Sequence, residues 1–108
     1  MLKKEYRLKS VLLKSPRVFS SQFFSLKVAS NKKEINHFAF IVSKRIDKRA
    51  VVRNSLKRKI RSCIEQIFDN IELGNDFVIY PRKAAIDATG DQVLEEIKGI
   101  LIKNKLFK

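Results

Sequence analysis

Ala50-Val51-Val52-Arg53-Asn54-Ser55-Leu56-Lys57-Arg58-Lys59-Ile60-Arg61-Ser62-Cys63-Ile64-Glu65-Gln66-Ile67-Phe68-Asp69-Asn70-Ile71 is the stretch on which the fold turns. Val52, Leu56, Ile60, Cys63, Ile64, Ile67, Phe68 and Ile71 recur mostly at three- and four-residue steps, the period of one helix face. The spacing predicts a helix over 50–73, stopped by Gly74 and Asn75. At about 100° per residue with Val52 at zero, Leu56, Ile60 and Cys63 fall within about 80° of it. Arg53, Lys57, Arg61, Asn54 and Arg58 fall at about 100° to 240°, on the opposite side. One stripe can bury while the other presents four cations and an amide.

Working outward, the helix begins inside a basic segment, Lys44 to Arg61, that has nine bases and one acid in 18 residues. Ahead of it, His37 to Ser43 is apolar and β-favouring and reads as a buried strand. Residues 22–29 read as an earlier strand with Phe24, Leu26 and Val28 on one face, and 30–36 as a polar turn. After the helix, 76–80 reads as a third strand ended by Pro81. Thr89 or Asp91 can cap a last helix that runs to about Lys103 and buries Val93, Leu94, Ile97, Ile100 and Leu101. Residues 1–21 form a basic, less regular segment. There Leu8, Val11, Leu12 and Leu13 could seed a short helix limited by Pro16. The order strand, strand, helix, strand, helix predicts one α+β domain over 1–108, with helices packed on a sheet.

The chain of 108 residues carries a formal net charge of +13 and is 44% hydrophobic. That apolar share supports a core and argues against global disorder. The charge opposes compaction by self-repulsion, so it calls for a polyanionic partner. It is also polarised: residues 1–61 hold 18 of the 24 Lys and Arg but three of the 11 acids. A one-sided distribution is the electrostatic footprint of a nucleic-acid binder. Like charges at three- and four-residue spacing repel along the helix, and phosphates at the stripe would reverse that term. A solvated helix face, a membrane-surface helix and a helix in a DNA major groove are the competing readings. The near absence of acids in the stripe weighs against the first, and the use of the apolar stripe by the core weighs against the second. One cysteine, Cys63, allows no disulfide within the chain, no apolar run reaches membrane-spanning length, and residues 1–6 lack a secretory stretch. These features predict a cytoplasmic protein without membrane association.

Val42-Ser43-Lys44-Arg45, then Ala50-Val51-Val52-Arg53-Asn54, then Lys57-Arg58 and Arg61, closely resembles the protein subunit of bacterial ribonuclease P. That family's signature runs Val-Ser-Lys-Lys, a short linker, then Ala-Val-x-Arg-Asn-Arg-x-Lys-Arg-x-x-Arg. The resemblance implies a two-layer α/β sandwich, ribosomal protein S5 domain 2-like, with a left-handed βαβ crossover carrying the basic helix. It implies a role as accessory subunit of a ribonucleoprotein endoribonuclease that removes the 5′ leader of precursor tRNA. The Mg²⁺ ions would be held mainly by the catalytic RNA and the substrate. By motif position it implies RNA-facing roles for Arg53, Asn54, Lys57, Arg58 and Arg61, with Lys44 and Arg45 as the basic turn before them. The partners implied are the catalytic RNA and precursor tRNA, with this chain a monomer in a 1:1 ribonucleoprotein.

The chain departs from the pattern in three places. Ser55 stands where the family usually has the second Arg of Arg-Asn-Arg. The linker Ile46-Asp47-Lys48-Arg49 lacks the frequent Gly. The N-terminal helix is shortened to Ser10 through Phe19, and Phe19 is the aromatic on offer there. An ungapped alignment puts Leu26 at a strand aromatic that lines the leader cleft, with Phe24 on the same face, so both are leader-cleft candidates. No catalytic residue is assigned. His37 has no carboxylate partner that the sequence can place, Cys63 lies on the buried stripe, and the acids are scattered, so no metal cluster is expected.

Overall fold

A computed structural model describes residues 3–10 and 12–108. Its frame is a four-stranded sheet built from β1 (Arg17–Ser20), β2 (Phe24–Ser30), β3 (His37–Phe40) and β4 (Asn75–Pro81), in the order β1-β2-β4-β3. The first three neighbours pair antiparallel and β3 pairs parallel to β4. A parallel pair needs a crossover, and α1 (Ala50–Ile67) supplies it. Short α2 (Ala84–Asp87) and α3 (Gly90–Lys103) follow β4.

Alternation along the strands decides which residues meet the helices. Phe24, Leu26 and Val28 of β2, Phe38 of β3, and Phe77 and Ile79 of β4 form one buried face. The Phe38 and Phe77 rings stack at 5.0 Å and 7°. Leu56, Ile60, Cys63, Ile64 and Ile67 of α1 close over that face, with Val93, Ile97 and Leu101 of α3 beside them. The buried stripe is therefore the one that helical phasing predicts. Each such side chain contributes about 1.5–3 kcal/mol on burial.

Three boundaries differ from expectation. The long helix ends at Ile67 and continues as one 3₁₀ turn, Phe68–Asn70. Ile71 then leaves for an antiparallel bridge with Phe107, so its apolar period serves the sheet side of the core and not the helix. The strand expected over 37–43 pairs regularly only through Phe40. Pro81 lies inside β4, opposite Phe24, at the strand end where a missing N–H is tolerated. Gly74 turns the chain into β4 with φ +92, and a Cβ there would stand 2.8 Å from the Lys33 carbonyl oxygen.

The largest departure is at the N-terminus. Among the described residues of 8–19 there is no helix; Val11, part of the expected helix seed, lies outside the described residues. Ser15 adopts φ +47, and Arg17–Ser20 pairs with β2 as an edge strand instead. Strand pairing replaces weak local helix preference here, because an unpaired β2 edge supplies a ladder that a short helix could not match. Further upstream, Lys4–Tyr6 forms a 3₁₀ turn, and the Leu8 N–H donates to the Phe38 carbonyl at 2.8 Å along the other sheet edge.

The cap on α3 is as expected at Thr89. Its Oγ1 accepts the Gln92 N–H at 3.1 Å, and Gln92 Oε1 accepts the Thr89 N–H at 2.9 Å, a reciprocal capping box. Thr89→Ala should lower stability by about 1 kcal/mol, read as an earlier midpoint in urea at unchanged slope. An unmoved midpoint would show that the cap does not hold α3 in solution.

Candidate nucleic-acid interface

The basic segment divides into cations that the protein itself uses and cations that it does not. Asp47 Oδ1 accepts the Arg49 backbone N–H at 2.8 Å and Nε at 3.0 Å, while Oδ2 accepts Nη2 at 2.9 Å. The Arg49 side chain and backbone hold the Asp47 carboxyl down at about 2. A depressed carboxyl supports the fold above its unfolded value, so this contact is complete above roughly pH 4 and is lost as pH falls toward the folded value. Arg53 Nη1 donates to the carbonyls of Asp47 at 3.0 Å and Lys48 at 2.8 Å. These contacts set the turn that enters α1, whose first residues have no side-chain cap. Lys59 Nζ donates to the carbonyls of Ala85 at 3.0 Å, Ile86 at 2.9 Å and Ala88 at 2.8 Å. That cation ties α1 to the C-terminal end of α2, where the helix carbonyls need donors.

The remaining bases face outward. Lys44, Arg45 and Arg58 are exposed, Lys57 is half-buried, and Asn54 is exposed on the same helix. Among the described residues none of these five side chains makes a hydrogen bond or ion pair. Arg61 is half-buried with its guanidinium 5.6 Å from the Phe40 ring centroid, a cation–π contact that leaves its edge available. The expected stripe is thus present at Asn54, Lys57, Arg58 and Arg61, with Lys44 and Arg45 ahead of it. Arg53 stands on that stripe too, but part of its guanidinium is committed to the turn. Lys59 is off the stripe by phase, which is why it reaches the protein and not the solvent.

Phe24 and Leu26 do not form a cleft. They are 1% and 4% exposed, and both point into the helix-packed core. The strand period that puts them on one face puts that face under α1 and α3. Phe19, opposite Leu26, also packs against the core, half-buried. The sheet's other face carries different residues. Cross-strand register aligns Ser20, Ser25 and Tyr80 in one row and Val18, Lys27, Val78 and Ala39 in the next. Lys27 Nζ lies 5.3 Å from the centroid of the half-buried Tyr80 ring. Tyr80 sits toward the end of β4 that lies beside Phe40, so it is at the sheet end from which Lys44 and Arg45 depart. The sequence places Tyr80 only at the end of an apolar strand run, and Val78, two residues earlier on the same face, is fully buried.

His37 does have a carboxylate partner. Its Nδ1 lies 3.0 Å from Asp76 Oδ1, and Asn31 Nδ2 donates to the same oxygen at 2.9 Å and to the Ile35 carbonyl at 2.9 Å. The partner comes from β4, 39 residues away, through the parallel pairing. Cys63 is buried with Sγ 3.5 Å from the Gly90 carbonyl, and burial pushes its thiol up. Among the described residues no group of three or more His, Cys, Asp or Glu could hold a metal ion. Among them, too, no helix is long and apolar enough to cross a membrane.

A family model described as Ribonuclease P matches residues 1–105. The ribonuclease P protein component of Bacillus mycoides is 37% identical over 101 residues, which cover 94% of this chain and 84% of that one. The corresponding component of Microcystis aeruginosa is 38% identical over 72 residues, 67% of this chain. The chain spans 60% of the length of that relative and of the one from Cyanothece sp.. Among solved structures, a Staphylococcus aureus RNase P protein mutant with defective mRNA degradation activity superposes with a TM-score of 0.80 at 27% identity, covering 96% of this chain and 92% of that one. The RNase P protein from Thermotoga maritima shares the fold, with a TM-score of 0.73 at 22% identity over 81% of this chain and 82% of its own.

Proposed function

Because this chain belongs to the ribonuclease P protein family, we propose that it is the protein subunit of that ribonucleoprotein, binding the catalytic RNA and the 5′ leader of precursor tRNA. The observation that carries the reading is the division of the basic segment. Arg49, Arg53 and Lys59 are held by protein oxygens, whereas the side chains of Lys57, Arg58 and Asn54 project from α1 with no partner among the described residues. A helix that leaves adjacent cations unpaired is arranged for phosphates, and Arg adds bidentate geometry toward them. In this reading Lys44, Arg45, Asn54, Lys57, Arg58, Arg61 and the free edge of Arg53 contact RNA.

The leader would lie on the sheet face away from the helices. Tyr80 offers a stacking surface there, Lys27 a cation, and Ser20 and Ser25 small polar neighbours that leave room for a base. Tyr80 thereby takes the part that Phe24 and Leu26 cannot play from the core. Mg²⁺ would supply charge stabilisation for phosphodiester hydrolysis, held by RNA and substrate. Among the described residues no group of three or more His, Cys, Asp or Glu could hold it, and in this reading the protein contributes binding and orientation. The assembly would be a 1:1 ribonucleoprotein in the cytoplasm.

Reconstitution with the host's catalytic RNA tests the proposal. Addition of the protein should accelerate removal of the leader at low Mg²⁺, where RNA alone is slow, and no gain would overturn it. Tyr80→Ser should lower affinity for leader-bearing precursor by about tenfold while leaving affinity for a leaderless tRNA unchanged. Equal losses on both substrates would remove Tyr80 from the leader path.

A further inference from the structure

A groove of about 360 Å³ lies between the first turns of α1 and α2, lined by Val51, Val52, Ser55, Leu56, Lys59 and Ile86. Val51 is 75% exposed at its rim, a large apolar side chain left in water at the start of the basic helix. The floor presents no unpaired charge, because Lys59 Nζ is already shared among three carbonyls. Ser55 keeps the groove open, since a long side chain at that position would lie across it. Two exposed cations stand next to the lining residues in sequence: Arg58 follows Ser55 by about one helical turn, and Lys83, which also lowers the Asp47 carboxyl, precedes Ile86 by three residues.

We propose that this groove takes one unpaired nucleobase of the RNA subunit, with the adjoining phosphates on Arg58 and Lys83. The inference rests on the proposed role as the ribonuclease P subunit and names a contact within it. An apolar slot with exposed Arg58 and Lys83 next to its lining residues in sequence matches a flat, weakly polar ring joined to anionic links on both sides, which is the chemistry of a splayed single-stranded nucleotide. It does not match a second copy of this chain, which would bring its own share of a net charge of +13 against the same cations. The groove is also continuous with the outward stripe through Arg58, so a strand bound along Asn54 and Arg58 passes its edge.

Equilibrium binding to the catalytic RNA across a salt series tests this, with nucleotide-resolved chemical probing of the RNA. Val51→Ser removes the apolar wall, and Ser55→Leu fills the slot. Both positions are exposed, so both variants should fold as the parent does. Each should weaken RNA binding by about tenfold without changing the slope of log affinity against log salt, because no cation is lost. One unpaired nucleotide protected by the parent protein should become reactive with both variants. Parent-like affinity in both variants overturns the inference, and so does a loss accompanied by a flattened slope or an unchanged probing pattern. Lys57→Ala separates the two levels. If it weakens binding and flattens the slope while Val51→Ser does nothing, the groove is empty and the functional reading stands. If neither variant affects binding, the RNA lies on another face and the groove is empty.

Discussion

Lys59→Met should lower the melting temperature by about 8–20 °C, the largest change expected from any single surface-derived cation in this protein. The substitution keeps the alkyl stem and removes three charge-assisted donors. Ala85 and Ala88, whose carbonyls they serve, are 0% and 7% exposed. Those oxygens, with that of Ile86, would lose their donor at the end of a four-residue helix too short to persist alone. A cost of about 2–4 kcal/mol follows from leaving such acceptors without partners, and it converts to the stated shift for a domain of this size. Lys57→Met is the control: its cation has no partner among the described residues, so stability should stay within about 0.5 kcal/mol. A thermal melt of Lys59→Met that matches the control would show that water replaces the ammonium and that α2 does not depend on it.

The second large effect concerns RNA affinity. The double variant Lys57→Ala, Arg58→Ala should bind the catalytic RNA about 30- to 100-fold more weakly near physiological salt. Its salt slope should fall by about two, one for each phosphate contact removed. Melting should be unchanged, because neither side chain holds another part of the fold. Arg53 and Arg61 are poorer probes. Removing Arg53 frees the carbonyls of Asp47 and Lys48, and removing Arg61 uncovers Phe40, so a binding loss there would mix recognition with local unfolding. Undiminished affinity in the double variant, or a loss with an unchanged slope, would place the RNA on another face.

The two variants differ by two positions on one helix and are expected to act on different quantities. Lys57 and Lys59 are the same residue type in the same basic run, and composition cannot tell them apart. Helical phase begins to do so, since Lys59 lies toward the buried side. Only the position of α2 makes it a structural cation.

What the sequence determined by itself is local. The spacing of Leu56, Ile60, Cys63 and Ile64 sets the buried stripe of α1, because a helix repeats every 3.6 residues whatever surrounds it. Thr89 and Gln92 carry their own capping box across three residues. The outward stripe at Asn54, Lys57, Arg58 and Arg61 follows from the same phase. The tertiary structure decided everything that depends on distant pairing. Residues 17–20 became a strand because β2 offered an unpaired edge, not because their own preferences required it. Phe24 and Leu26 went under the helices while Tyr80 took the face away from them, half-exposed, since the period of two says which residues share a side but not which side the helices cover. His37 met Asp76, and Lys59 met α2, across separations of 39 and 27 residues. Contacts of that range exist only once the sheet is assembled. The basic segment was therefore legible from its residues as a candidate nucleic-acid surface, but which of its cations the protein itself uses was decided by the packing around them.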